Sequence, residues 1–117
     1  MTLKELLNSL KSAWCIETAH PSYRDKWNKE NPSAGQCAVT ALIVQEHFGG
    51  KICSCKVGKF SHYINIINDE IVDLTSEQFK NPEYKSIVTK DPKILLKNKD
   101  TYSRYSLLKS KIKEPEA

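Results

Sequence analysis

The chain has 117 residues, 39% of them apolar and 27% charged, with a formal charge of +4. That length supports one buried core rather than two, and the composition belongs to a folded chain rather than a disordered one. No apolar run approaches the ~18 residues of a membrane span, and Met1 to Glu5 opens an amphipathic pattern instead of a signal peptide. A single domain over 1–117 is expected, cytoplasmic and without membrane contact, with its core between about 2 and 112 and a frayed tail at 114–117.

Thr2 with Glu5 forms a capping-box pattern, and Leu3, Leu6, Leu7, Leu10 and Trp14 recur at helical spacing. This predicts a first helix packed on the core. Residues 17 to 32 have no steady period and read as a long loop, ordered by the tryptophans near it, Trp14 and Trp27. The next helix has two possible starts: Asn31 as cap with Pro32 following, or Ser33 as cap with Gln36 three residues on. Ala38, Val39, Ala41, Leu42, Ile43, Val44 and Phe48 then surround the axis, which predicts a central, buried helix ended by Gly49-Gly50.

Lys51 to Lys56 reads as a strand. Ser61 to Ile67 and Glu70 to Leu74 read as a hairpin across the tight-turn pair Asn68-Asp69. Thr75 with Gln78 starts a helical turn, and Asp91-Pro92 caps a short helix through Ile94, Leu95 and Leu96. A last helix begins near Asp100-Thr101 and buries Tyr105, Leu108 and Ile112. The order of helices, antiparallel sheet and helices predicts an α+β domain.

Much of the basic excess lies between Lys80 and Lys113, mixed with acidic residues and without the aromatic-basic ribbon that stacks nucleotides. It reads as a solvated surface and argues against nucleic-acid binding. The four cysteines stand at 15, 37, 53 and 55. In a reducing compartment they are expected to be free thiols. Cys53 and Cys55 alternate on a strand and share a face. Zinc sites usually have two to four residues between paired cysteines, so this pair, with one residue between and no second knuckle, predicts no metal.

Cys37, at the beginning of the buried helix, has the strongest chemical setting. Unpaired backbone N–H groups and the helix dipole favour a thiolate there, and the same N–H groups suit an oxyanion. The bland alternative is a small buried hydrophobe, the common fate of a free cysteine. On the following strand His62 shares a face with Ile64 and Ile66. A two-residue turn at Asn68-Asp69 sets Ile64 opposite Asp73, making Asp73 the diagonal neighbour of His62, ~7–8 Å away at the backbone and within side-chain reach. Asn65 then faces away and Asp69 lies in the turn. The expectation is that His62 and Asp73 share the face that meets Cys37, with Cys37 and His62 ~3–4 Å apart. His20 and His47 have no comparable setting.

The blocks Asn31-Pro32-x-x-Gly35-Gln36-Cys37-x-Val39-Thr40-Ala41-Leu42, Phe48-Gly49-Gly50, Ser61-His62-Tyr63-x-Asn65, Asp73-Leu74-Thr75-x-x-Gln78-Phe79 and Asn98-x-Asp100-Thr101-x-x-Arg104-Tyr105 resemble the YunG-like bacterial proteins. The layout is similar to the papain-like, or NlpC/P60-like, cysteine hydrolases, in which a central helix carrying the cysteine packs on an antiparallel sheet carrying the histidine. The resemblance implies Cys37 as nucleophile, His62 as base and Asp73 as its orienter. Where papain-like enzymes often place an oxyanion-binding glutamine about two turns before the cysteine, this chain has Asn31, and its glutamine, Gln36, adjoins Cys37. Both are oxyanion candidates beside the Cys37 backbone N–H, and the tryptophans Trp27 and Trp14 are candidates for the cleft wall. The expected activity is that of a cysteine hydrolase or acyltransferase acting on an amide, ester or thioester of a small-molecule or peptide substrate, without a cofactor. The alternative is a binding module on the same fold without turnover.

Overall fold

The computed structural model describes residues 1–113, so the expected frayed tail at 114–117 lies outside the described residues. Helix α1 (Leu3–Ala13) starts at the capping box: the Glu5 N–H donates to Thr2 Oγ1 at 3.1 Å and the Thr2 N–H to Glu5 Oε1 at 2.8 Å. These bonds satisfy donors that a helix start otherwise leaves open. Leu6, Leu10 and Ala13 lie along its buried stripe.

Helix α2 (Cys37–Phe48) starts later than either of the two expected caps. Asn31 bridges to Asn28 and residues 32–35 form turns instead, and Gln36 occupies the cap position without a side-chain cap bond. The cause is a close approach at Gly35. Its φ is +73°, its carbonyl accepts the His20 N–H at 2.9 Å, and a Cβ there would sit 2.9 Å from Tyr23 Cβ. Only glycine fits such a left-handed, crowded position at no steric cost, and a helix cannot begin until the chain has passed it. Val39 through Val44 are then all buried, as a helix with no polar side must be.

Strands β1 (Lys51–Val57), β2 (Phe60–Ile67), β3 (Glu70–Val72) and β4 (Lys85–Lys90) form one antiparallel sheet in the order β3-β2-β1-β4. The β2–β3 turn has φ of 51° at Asn68 and 64° at Asp69, the doubly positive pair of a tight hairpin. Ile67 pairs with Glu70 and Asn65 with Val72, so the expected register holds. Strand β4 is the element sequence reading missed. Every residue in it is exposed, so its side chains carry no alternating pattern; it forms because β1 offers a free edge of backbone donors and acceptors.

The sheet is covered on both faces. Tyr63 and Ile52 pack with Ala41 and Leu42 of α2, and Asn65 Nδ2 donates to the Ala41 carbonyl at 2.9 Å. On the reverse face Cys53, Cys55, Val57 and Ile64 meet Phe79 and Tyr84 from the long β3–β4 connection. Short α3 (Pro92–Leu95), capped by Asp91 through the Lys93 N–H, leads to α4 (Lys99–Lys111), capped by Asn98 through the Thr101 N–H. Leu108 of α4 joins Leu6, Leu10, Trp14, Val39, Ile43 and Val44 in the main core. Tyr105 and Ile112 are only partly buried against it.

Candidate active site

Alternation along β2 puts His62 on the reverse face, opposite Cys55 of β1 and away from the face that α2 covers along its length. His62 meets Asp73 on that reverse face, while the length of α2 packs on the other. Cys37 meets His62 because it is the first residue of α2, and the two line one cleft of about 360 Å³.

His62 is 1% exposed, and its Nε2 lies 2.8 Å from Asp73 Oδ2. Asp73 was expected inside the third strand, which instead stops at Val72. Its side chain turns back as a local cap: Oδ1 accepts the Thr75 N–H at 3.1 Å and the Thr75 hydroxyl at 3.0 Å. Such side-chain capping competes with the ladder and ends the strand. Tyr84 O–H donates to Oδ2 at 2.8 Å, so four donors surround this nearly buried carboxylate. Phe79 presents its edge to the His62 ring at 4.8 Å between centroids, and Tyr84 stacks on it at 6.4 Å. The Asp73 bond and these two ring contacts fix the orientation of the imidazole.

Burial by itself would push the His62 pKa down. Hydrogen bonding by Asp73 and by Cys37, with their charges, outweighs burial and raises the value to about 9, so the ring is protonated at neutral pH. Burial likewise disfavours the Asp73 carboxylate, but the His62 bond and charge, then Tyr84 and Thr75, hold its pKa below the usual range. Cys55, across the ladder from His62, is pushed up to about 11 by burial, then by Asp73 and Cys37, and remains a neutral thiol.

The other expected site residues lie elsewhere. Gln36 is fully buried: its Nε2 donates to the Cys15 carbonyl at 3.0 Å and its Oε1 accepts from Thr18 Oγ1 at 2.8 Å. It fastens the loop beneath α2 and does not line the cleft. Asn31 lines a smaller neighbouring hollow of about 110 Å³, which shares Gln78 with the main cleft. Trp14 sits in the main core with Nε1 donating to Thr40 Oγ1 at 3.0 Å, and Trp27 Nε1 donates to the Pro32 carbonyl at 3.0 Å. Neither tryptophan lines the cleft; Tyr23, Phe60, Tyr63 and Phe79 supply its aromatic wall. The indole N–H donors are taken up by Thr40 and Pro32 instead of facing a ligand.

Sequence reading missed four residues. Tyr84 carries no motif. Gln78 was read as part of a helical turn, yet its Nε2 is buried without a hydrogen-bond partner and the residue lines the cleft. His20 and Arg104 also line it, brought there by the loop before α2 and by the middle of α4. The Asp100-Thr101-x-x-Arg104 block was the available signal for Arg104, but spacing on a helix does not say what the opposite face meets.

The chain matches the family model described as YunG protein over residues 2–116 and belongs to that family. It is 48% identical over 79 residues to the Uncharacterized protein YunG of Bacillus subtilis (strain 168), a stretch covering 67% of this chain and 64% of that protein. No solved structure is significantly similar to it.

Proposed function

We propose that this protein is a small papain-like cysteine hydrolase or acyltransferase acting on an amide, ester or thioester. The observation that carries the reading is a buried histidine with one ring nitrogen on Asp73 and a cysteine at a helix N-terminus lining the same cleft as that ring. Asp73 fixes the ring and stabilises its cationic form, as the third member of such a triad does.

In the proposed reaction the Cys37 sulfur, as thiolate paired with the His62 imidazolium, adds to the substrate carbonyl carbon. The C–S bond forms, and the carbonyl π electrons move to oxygen. When the tetrahedral adduct collapses, the bond to the leaving amine, alcohol or thiol breaks and His62 delivers its proton to that group. Water, or an acceptor nucleophile, then gives its proton to His62 as it attacks the acyl-enzyme and frees Cys37. No side chain caps α2, so the Cys37 N–H is a candidate oxyanion donor, joined by the unpartnered Gln78 Nε2. Gln78 replaces Gln36 and Asn31 in that role because both of those side chains lie outside the cleft.

The test is site-resolved labelling with iodoacetamide near neutral pH. Cys37 should react fastest of the four cysteines, and His62→Ala should slow it by about an order of magnitude or more through loss of the ion-pair partner. Cys37→Ala should keep the fold, since the residue borders a cleft. If native Cys37 is inert and its replacement costs several kcal/mol, it is a core residue and the binding-module alternative stands.

A further inference from the structure

Among the described residues that line the cleft there is no aspartate or glutamate, while Arg104 and Lys59 both do. His62 borders them, but its charge is matched by Asp73, so Arg104 and Lys59 are the cations that count. Arg104 is 4% exposed, an uncommon place for a guanidinium without a full set of partners. Its Nε donates to Asp100 Oδ2 at 2.8 Å and its Nη1 to the Thr18 carbonyl at 3.3 Å. Nη2 has no partner among the described residues. Asp100 is itself half-exposed and does not line the cleft, so the pairing holds the guanidinium from outside it.

His20 extends the same donor wall. Its Nδ1 accepts the Ser22 N–H at 3.1 Å, which in the neutral ring leaves the proton on Nε2. Burial, then the Arg104 charge, lowers its pKa and keeps that neutral, donating form. Gln78 contributes the orphaned amide nitrogen described above. The cleft thus offers donors and two cationic side chains with no carboxylate on its wall, and an acceptor-rich anion is the ligand that satisfies them.

We propose that the cleft selects small acyl compounds bearing a carboxylate, which Arg104 binds while Lys59 at the exposed rim draws the anion in. The inference rests on the cysteine-hydrolase reading above and supplies its substrate class. A volume of about 360 Å³ is near the lower end for small-molecule sites, which suits a compound with a carboxylate close to its scissile carbonyl. The planar guanidinium favours a carboxylate in the side-on, two-point manner.

Protection of Cys37 from iodoacetamide reads this without a known substrate. Glutarate is the charged probe, glutaramide its neutral counterpart and inorganic phosphate the rival anion, and each protein is compared with itself without additive. Glutarate should slow labelling and glutaramide should not, with protection fading as salt is raised. Arg104→Gln should weaken glutarate protection ~10-fold or more, the loss expected for a charge-assisted hydrogen bond, and Arg104→Lys should restore part of it. Since Arg104 also bonds the Thr18 carbonyl, Lys59→Gln serves as a second, exposed variant and should weaken protection by a smaller factor. Equal protection by glutarate and glutaramide, or by neither, overturns the inference while fast labelling still upholds the nucleophile. Phosphate protecting where glutarate fails overturns the carboxylate assignment. Slow labelling without any additive sinks the hydrolase reading instead.

Discussion

Asp73 takes four hydrogen bonds on two oxygens, and this one side chain ends β3, caps the next turn and orients His62. The pair should tie stability to pH from both sides. Asp73 has a folded pKa below its unfolded one, so its contribution is present above the unfolded value and is lost as pH falls through the folded value. His62 is raised from 6.5 to about 9, so its contribution is full below 6.5 and disappears as pH climbs through about 9. Urea unfolding followed against pH should show greatest stability between about pH 5 and 6.5, with a decline of up to ~3 kcal/mol by pH 9 or slightly above. Asp73→Asn should flatten that decline. A wild-type curve that is level from 6.5 to 9 would rule out a charged His62–Asp73 pair. The diagonal relation of these residues was legible because a two-residue turn fixes every pair in the hairpin. The Tyr84 bond was not, since the long connection after β3 has no register to read.

At the scale of elements, the loop before α2 has the most consequence for the cleft. Gly35 holds it against His20 and Tyr23, and its backbone conformation disfavours any side chain. Gly35→Ala should destabilise by about 1–3 kcal/mol, the usual range for strain at such a position. Because His20, Tyr23 and Cys37 all border the cleft, the same variant should also change the rate of Cys37 labelling. Thermal denaturation with labelling in parallel checks both. A stable variant with an unaltered labelling rate would mean the loop adapts freely. Capping residues and the apolar surround of α2 were readable in the sequence because each acts within a turn or two of chain. The true start of α2 was not, because a contact between residues 20 and 35 delayed it.

For the whole molecule, α4 closes the fold. Leu108 is fully buried against side chains of α1 and α2, while Tyr105 and Lys109 bond Glu46 of α2 at 2.9 and 2.7 Å. The polar links are exposed and worth little. The buried leucine is the main tie. Leu108→Ala should cost about 2–5 kcal/mol, measured by urea unfolding, with Glu46→Gln below ~1 kcal/mol. The reverse order of effects would make α4 a helix held from outside by its charges. Since α4 also carries Arg104, loosening it should open the cleft as well.

The sequence alone determined what neighbouring residues decide. The Thr2–Glu5 box, the Asn68-Asp69 turn with its register, the buried length of α2 and the grouping of Cys37, His62 and Asp73 as the chemically loaded residues all follow from local spacing and period. Tertiary structure decided which sheet face α2 would cover, how Cys37 at its tip would meet a histidine on the reverse face, and that Gln36, Trp14 and Trp27 would hold the scaffold. It also brought Gln78, His20 and Arg104 into the cleft and paired β4 with β1. Those outcomes depend on contacts between distant parts of the chain, where burial and unsatisfied donors choose the partner and sequence spacing has no influence.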